Sequence, residues 1–343
     1  MRKSIAGLKP YAPNLEASGC KMDANENPYD IPADVKKEML GMFMKEDFNR
    51  YPDPVASRLK RALSAHLNVR PESIVFGNGS DEIIACLIQA YAGPGDCIVV
   101  PSPTFVMYEL IARAAGVRPL RVEAGAGFGI NPEMFIKAVS WPSAKLSFIA
   151  SPNNPTGVVF NKKELVKIIE AARGIVVIDE AYFDFSGETL LPLLKKYKNL
   201  AVLRTFSKSF SMAGLRLGYI AAGPDIIEAV NRVRLPYNVN MLTQEAAIVA
   251  LKRSKKIEKS IKVVIKERER MYNEIKGLYD VPRSSANFFY IKVKDAAKAR
   301  RAFAAKGISV RAFTEGPCAG RIRLTVGKPA ENNRAINILK RGV

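Results

Sequence analysis

A lysine at position 208 stands between two serines, with an arginine eight positions on: Thr205-Phe206-Ser207-Lys208-Ser209-Phe210-Ser211-Met212-Ala213-Gly214-Leu215-Arg216. The apolar run Leu200–Leu203 comes just before it. A primary amine in this setting can form a Schiff base with an aldehyde cofactor. The Ser207 hydroxyl and the Arg216 guanidinium can hold a phosphate carried by that cofactor. Gly214 and Gly218 allow close approach of chain and ligand. Each basic group alone reads as a surface charge; the order and context point to a cofactor site.

Three further stretches carry chemistry. Val75-Phe76-Gly77-Asn78-Gly79-Ser80-Asp81-Glu82 reads as a strand, a glycine-rich turn and a helix start. Free N–H groups at such a helix start attract phosphate, although any strand-to-helix turn can hold Gly-x-Gly. Ser151-Pro152-Asn153-Asn154-Pro155-Thr156-Gly157 follows an apolar strand, at the edge where parallel sheets place ligands. The Asn154 amide is a candidate donor to a phenolic oxygen there; a plain turn is the alternative, though a run of Asn-Asn-Pro-Thr-Gly is far rarer by chance than a lone Asn-Pro. Val176-Val177-Ile178-Asp179-Glu180-Ala181-Tyr182 ends an apolar strand on a carboxylate. Burying that charge is costly unless a cation faces it. A protonated pyridine nitrogen is such a cation, and Asp179 keeps it protonated by roughly 1–3 pKa units; a helix-capping aspartate is the alternative. Tyr182 can turn its hydroxyl toward the same phenolic oxygen, or simply fill the core.

The elements that must position these groups follow a regular rhythm. Apolar runs at 73–76, 97–101, 117–122, 145–150, 174–179, 200–205 and 216–222 read as strands. Amphipathic stretches at 80–92, 104–115 and 161–173 read as helices between them. That alternation predicts an α/β domain with a mainly parallel sheet, buried on both faces. Residues 1–50 read as an irregular arm with one helix near 32–44, and a helix follows at 55–67. Helices at 225–235 and 241–252 lead to a long charged one at 255–279. Beyond Pro282, strands at 287–293, 308–311 and 321–326 with helices at 295–306 and 329–341 predict a small α+β unit.

Composition narrows the class. The 343 residues are 48% hydrophobic and 25% charged, the balance of a soluble globular chain of about two domains. No apolar run approaches the roughly 18 residues of a membrane span, and Met1–Pro10 lacks the apolar core of a signal peptide. Cys20, Cys86, Cys97 and Cys318 are scattered, which predicts free thiols in a reduced cytoplasm. The net charge of +20 suggests nucleic acid at first. Yet Lys255-Lys256-Ile257-Glu258-Lys259 and Lys266-Glu267-Arg268-Glu269-Arg270 mix signs as solvated helix faces do. A field steering small anions is expected instead. The single histidine, His66, lies outside every stretch above, so histidine triads and metal sites are not expected.

Together the four stretches resemble the class I/II aminotransferases of pyridoxal-phosphate fold type I, over nearly the whole chain. Within them the likeness is to the histidinol-phosphate branch. It rests on Leu8-Lys9-Pro10-Tyr11, Asn25-Glu26-Asn27-Pro28-Tyr29, Asn49-Arg50-Tyr51-Pro52-Asp53, Pro103-Thr104-Phe105-Val106-Met107-Tyr108 and Arg321-Ile322-Arg323-Leu324-Thr325-Val326-Gly327. The resemblance implies an arm (1–50) packing on the small domain and on a partner subunit. It implies a large cofactor-binding domain (51–252), a bridging helix (253–281) and a small C-terminal domain (282–343). It implies pyridoxal 5'-phosphate on Lys208, which is also the proton-transfer base. Gly79, Ser80, Asp81, Ser207 and Arg216 would hold the phosphate, and Phe105 would stack on the ring where many relatives have tyrosine. Tyr51 would reach the cofactor phosphate of the other subunit of a homodimer. Arg323 would bind the acidic group of either substrate, with Arg311 and Tyr11 as further candidates for a substrate phosphate. The implied reaction is transamination between L-histidinol phosphate and 2-oxoglutarate. Threonine-phosphate decarboxylation and aromatic transamination share the motifs. A pyridoxal-phosphate-sensing regulator would need a DNA-binding module, for which the first 50 residues are too few and too rich in Pro and Asn.

Overall fold

The computed structural model describes residues 1, 3–8 and 19–343. Tyr11 and most of its motif therefore lie outside the described residues. The strands are β1 (Cys20–Lys21), β2 (Ile74–Asn78), β3 (Cys97–Ser102), β4 (Arg118–Glu123), β5 (Ala144–Ala150), β6 (Ile175–Asp179), β7 (Leu200–Thr205), β8 (Leu217–Ala222), β9 (Phe288–Lys292), β10 (Ile308–Ser309), β11 (Arg311–Phe313) and β12 (Arg321–Thr325). Seven of them form one sheet in the order β2-β8-β7-β6-β5-β3-β4. Only β8 runs against its neighbours. Val176, Val177, Ile178 and Leu200–Leu203 are all buried, because helices cover both faces. The edge strand β4 instead exposes Arg118, Arg121 and Glu123, which suits an unpaired border.

This order decides where the loops meet. β5, β6 and β7 are adjacent and parallel, with Ala150 beside Asp179 and Asp179 beside Leu203. Their C-terminal loops, carrying Asn154, Tyr182 and Lys208, open on one edge. β2 ends on that edge and antiparallel β8 begins there. Gly79 and Arg216 consequently touch: the Gly79 N–H donates to the Arg216 carbonyl over 2.8 Å.

The helix Ser254–Ile275 buries Ile257, Ile261, Val264, Arg268, Met271 and Ile275, alternating steps of four and three that keep one face inward. It leads to a three-stranded antiparallel sheet, β11-β12-β9. Residues 20–27 lie beside this second sheet: Thr325 N–H of β12 donates to Met22 O, and β1 pairs with β10 in a separate two-stranded sheet. The helix Ala33–Phe43 packs on the helix Met241–Lys252 instead, sharing its apolar cluster.

Three details depart from the sequence reading. The helix Pro132–Val139 was not anticipated; Asn131 caps it by accepting from Met134 N–H, and Phe135, Ala138 and Val139 face the core. The expected strand 308–311 is two strands, because Ile308–Ser309 pairs with β1 while Arg311–Phe313 pairs with β12. Arg311 thus opens a strand rather than closing one. The 104–115 helix begins at Val106, leaving Phe105 extended at its start.

Candidate active site

A cavity of about 540 Å³ lies over the C-terminal edge of the large sheet, ample for a small cofactor and substrate. Its walls include Ser80, Asp81, Phe105, Asn154, Asp179, Tyr182, Ser207, Lys208, Arg216 and Arg323. Those residues come from six separate stretches of chain. Tyr51 is not among them: it is 81% exposed and stacks on Tyr237, centroids 4.5 Å apart. Arg311 lines a neighbouring cavity of about 250 Å³, which shares Phe105, Asn154 and Arg323 with the first. His66 is outside both, exposed and edge-on to Phe210.

Lys208 Nζ donates to the Ala24 carbonyl over 3.0 Å. Burial, together with the Arg323 charge, lowers its pKa to about 8. Such an amine deprotonates far more readily than a surface lysine, as nucleophilic attack requires. At the end of β6, Asp179 Oδ2 accepts from the Tyr108 hydroxyl at 2.6 Å and Oδ1 from Ala181 N–H at 3.0 Å. Burial still pushes its pKa up to about 6, with those bonds opposing. Tyr108 stacks on Phe148 and sits edge-on to Phe105, and it is fully buried.

Arg323 bridges the two sides of the cavity. Its Nη1 donates to Asn154 Oδ1 at 2.6 Å and its Nη2 to the Asp23 carbonyl at 2.7 Å. The bond on Asn154 Oδ1 presents that side chain's NH2 end as its donor. Tyr182 OH accepts from Asn25 Nδ2 at 2.9 Å. Arg216 Nη2 pairs with Asp81 at 3.2 Å and its Nη1 donates to Ser207 Oγ at 3.4 Å. Gly79 (φ +79°) allows this: a Cβ there would lie 2.4 Å from Arg216 Nη2. A Cβ on Gly218 would meet Ser80 N at 2.3 Å.

Sequence reasoning missed several of these groups. Tyr108 stands one helical turn beyond Phe105 and closes the Pro103–Tyr108 motif, but nothing in that motif shows that its hydroxyl meets Asp179. Asn25 sits at φ +54° and reaches Tyr182 across 157 residues, a contact no local pattern announces. Ala24 and Asp23 act through main-chain carbonyls, which have no sequence signature.

Comparison with known proteins places this geometry in a family. Residues 18–339 match the model of "Aminotransferase class I and II". The chain belongs to that family. Histidinol-phosphate aminotransferase of Caldanaerobacter subterraneus subsp. tengcongensis is 39% identical over 99% of this chain and 97% of its own. The Pyrococcus furiosus enzyme of the same name is 40% identical over 98% and 96%. The crystal structure of the Sinorhizobium meliloti histidinol-phosphate aminotransferase in complex with pyridoxal-5'-phosphate shares the fold, with a TM-score of 0.90 at 22% identity, covering 99% of this chain and 98% of that one.

The protein is an aminotransferase, and pyridoxal 5'-phosphate is its cofactor. The residues present fit that molecule. Asp179 is a buried carboxylate whose hydrogen bonds come from neutral groups, so the cation it lacks is one a protonated ring supplies. Around Gly79, the guanidinium of Arg216, the Ser207 hydroxyl and a helix N-terminus converge as phosphate donors. Among the described residues no helix is long and apolar enough to cross a membrane.

Proposed function

We propose that this aminotransferase moves the amino group of L-histidinol phosphate to 2-oxoglutarate, giving imidazole acetol phosphate and L-glutamate in histidine biosynthesis. The observation that carries the phosphorylated substrate is a cross-strand pair. Arg311 stands directly opposite Arg323 on antiparallel strands, and both line the second cavity. Two guanidinium groups at directly paired positions make this wall of the cavity strongly cationic. A phosphate dianion matches two guanidinium groups better than a carboxylate does. The full-length relatives named for this reaction support the same assignment.

The cofactor, when bound, supplies the carbonyl carbon that takes up nitrogen and the ring that accepts the donor's electrons. The chain supplies the rest. Lys208 takes the proton from the donor's Cα, and its depressed pKa suits that task near neutrality. Asp179 would keep the ring nitrogen protonated. Asn154 and Tyr182 would hold the phenolic oxygen, and Phe105 would stack on the ring. Gly79, Ser80, Asp81, Ser207 and Arg216 would hold the phosphate and so limit the cofactor's movement relative to Lys208. Arg323 would take the glutamate carboxylate in one half-reaction and the substrate phosphate in the other, with Arg311 and Tyr11 as further candidates for the latter.

The reading includes a homodimer acting in the cytoplasm. Leu40, Met44, Phe48 and Tyr51, close together in the chain, are 56–86% exposed, apolar surface that a second copy would cover. Tyr51 would then enter the partner's phosphate site. The same reading assigns 51–252 to the cofactor domain, 253–281 to the bridge and 282–343, with the arm, to the small domain.

Threonine-phosphate decarboxylation and aromatic transamination are the competing outcomes. Purified enzyme is assayed with histidinol phosphate, phenylalanine and threonine phosphate, following glutamate and CO2. Glutamate formation with a kcat/KM at least about 100-fold higher for histidinol phosphate is expected. CO2 release from threonine phosphate, or a preference for phenylalanine, would refute the assignment.

A further inference from the structure

The loop bearing Lys208 has left the sheet. Its last ladder bond is Phe206 N–H to Leu217 O, so something other than β-pairing must hold residues 207–211. Ser209, the residue after the lysine, is fully buried, and its hydroxyl donates to Oδ2 of Asp184. Asp184 lies in the single turn Phe183–Ser186, just past Asp179 and Tyr182. The Ser209 carbonyl accepts from Asn27 Nδ2 at 3.3 Å, and the same amide donates to Ser260 Oγ of the bridging helix at 3.1 Å. The loop is thus tied on its side chain to β6's extension and on its main chain to the arm. Lysine has four rotatable side-chain bonds, so where its amine sits depends on how firmly its backbone is held.

We propose that Asp184, acting through the Ser209 hydroxyl, is a positioning residue for Lys208. Its bond sets the lysine loop against the segment that carries Asp179, so the amine and the ring acid are referred to one rigid turn. Asp184 is not among the residues that line the cavity. Its loss lowers the rate of proton transfer and leaves substrate binding intact.

The test is the single-turnover reaction of the holoenzyme with glutamate and with Cα-deuterated glutamate, which does not depend on the identity of the other substrate. Ser209→Ala should slow conversion about 10- to 100-fold, the loss typical of a misplacement near 1 Å. The half-saturating glutamate concentration should stay within about twofold, and the deuterium isotope effect should rise as proton transfer becomes limiting. Asp184→Asn keeps an oxygen acceptor and should recover most of the rate. Asp184→Ala combined with Ser209→Ala should be no slower than Ser209→Ala alone, since both break one interaction. In the apoenzyme, peptide-resolved labelling of Lys208 by an amine reagent should be several-fold faster in Ser209→Ala, with the melting temperature little changed. An unchanged isotope effect, or unchanged apoenzyme labelling, in folded Ser209→Ala overturns the proposal.

Discussion

The Tyr108 hydroxyl donates to Oδ2 of Asp179 across 2.6 Å, joining residues 71 positions apart in the chain. Both groups are buried, so the bond is unscreened and the phenol has one strong acceptor to serve. It holds Asp179 ionised against burial, and it links the acid to the helix that begins beside Phe105. Tyr108→Phe removes the donor and nothing else from the packing. The acid limb of the kcat pH profile should move up by about one unit, the worth of one buried bond to a charged group. A profile superimposable on wild type would show that Ala181 N–H alone suffices.

Asp179 also sets a pH dependence of apoenzyme stability. Its folded pKa of about 6 exceeds the ordinary 3.8, so the folded state binds the proton more tightly. Stability from this group is therefore present below pH 4 and is lost as pH rises to about 6. The loss amounts to at most about 3 kcal/mol. Asp179→Asn should flatten this part of the apoenzyme melting profile between pH 4 and 6. It should also cut turnover by about 1,000-fold or more, because the ring loses its counter-ion.

Lys208 shifts the other way. With a folded pKa near 8 against 10.5, the apoenzyme gains stability from it as pH rises from 8 to 10.5. Lys208→Met should raise the apoenzyme melting temperature at pH 7 and lose that advantage above pH 10. In the holoenzyme the same change should abolish turnover and borohydride fixation of the cofactor. Arg323→Gln removes a nearby cation and should move the Lys208 labelling midpoint above 8.

Arg311→Ala separates the two half-reactions. The substrate phosphate loses one of two guanidinium partners, so KM for histidinol phosphate should rise about 10- to 100-fold. The half-saturating glutamate concentration should change less than about twofold. Equal effects on both substrates would place Arg311 in general packing instead.

Arg204 tests the support beneath the site. It is buried, pairs with Glu180 at 2.8 Å, also donates to Thr189, and covers the Phe183 ring. Arg204→Met leaves the Glu180 carboxylate buried without its cation. Urea unfolding should show a loss of about 3–5 kcal/mol.

The strand-and-helix rhythm from residue 73 to 222 is legible in the sequence because strands covered on both faces must be apolar throughout. Such runs stand out against amphipathic helices. The cofactor stretches are legible for a related reason. A Schiff-base lysine, a strand-ending acid and a glycine-rich turn are each costly or odd unless a ligand repays them. Pro132–Val139 is less visible, since its eight residues span barely two turns and give the helical period little room to show.

Which groups meet is another matter. That Arg216 touches Gly79 follows from β8 running antiparallel beside β2, and strand order is not written in any local pattern. That Arg323 faces Arg311 rests on the β11–β12 register, where a slip of one residue would turn either side chain to the opposite face. Tyr108 on Asp179, Asn25 on Tyr182 and the Ala24 carbonyl on Lys208 are contacts between distant segments. The amino-acid sequence alone determined the chemistry available to this protein, because residue type sets what a group can donate, accept or attack. Only the tertiary structure decided which of those groups share a cavity, because proximity across the chain is a property of packing.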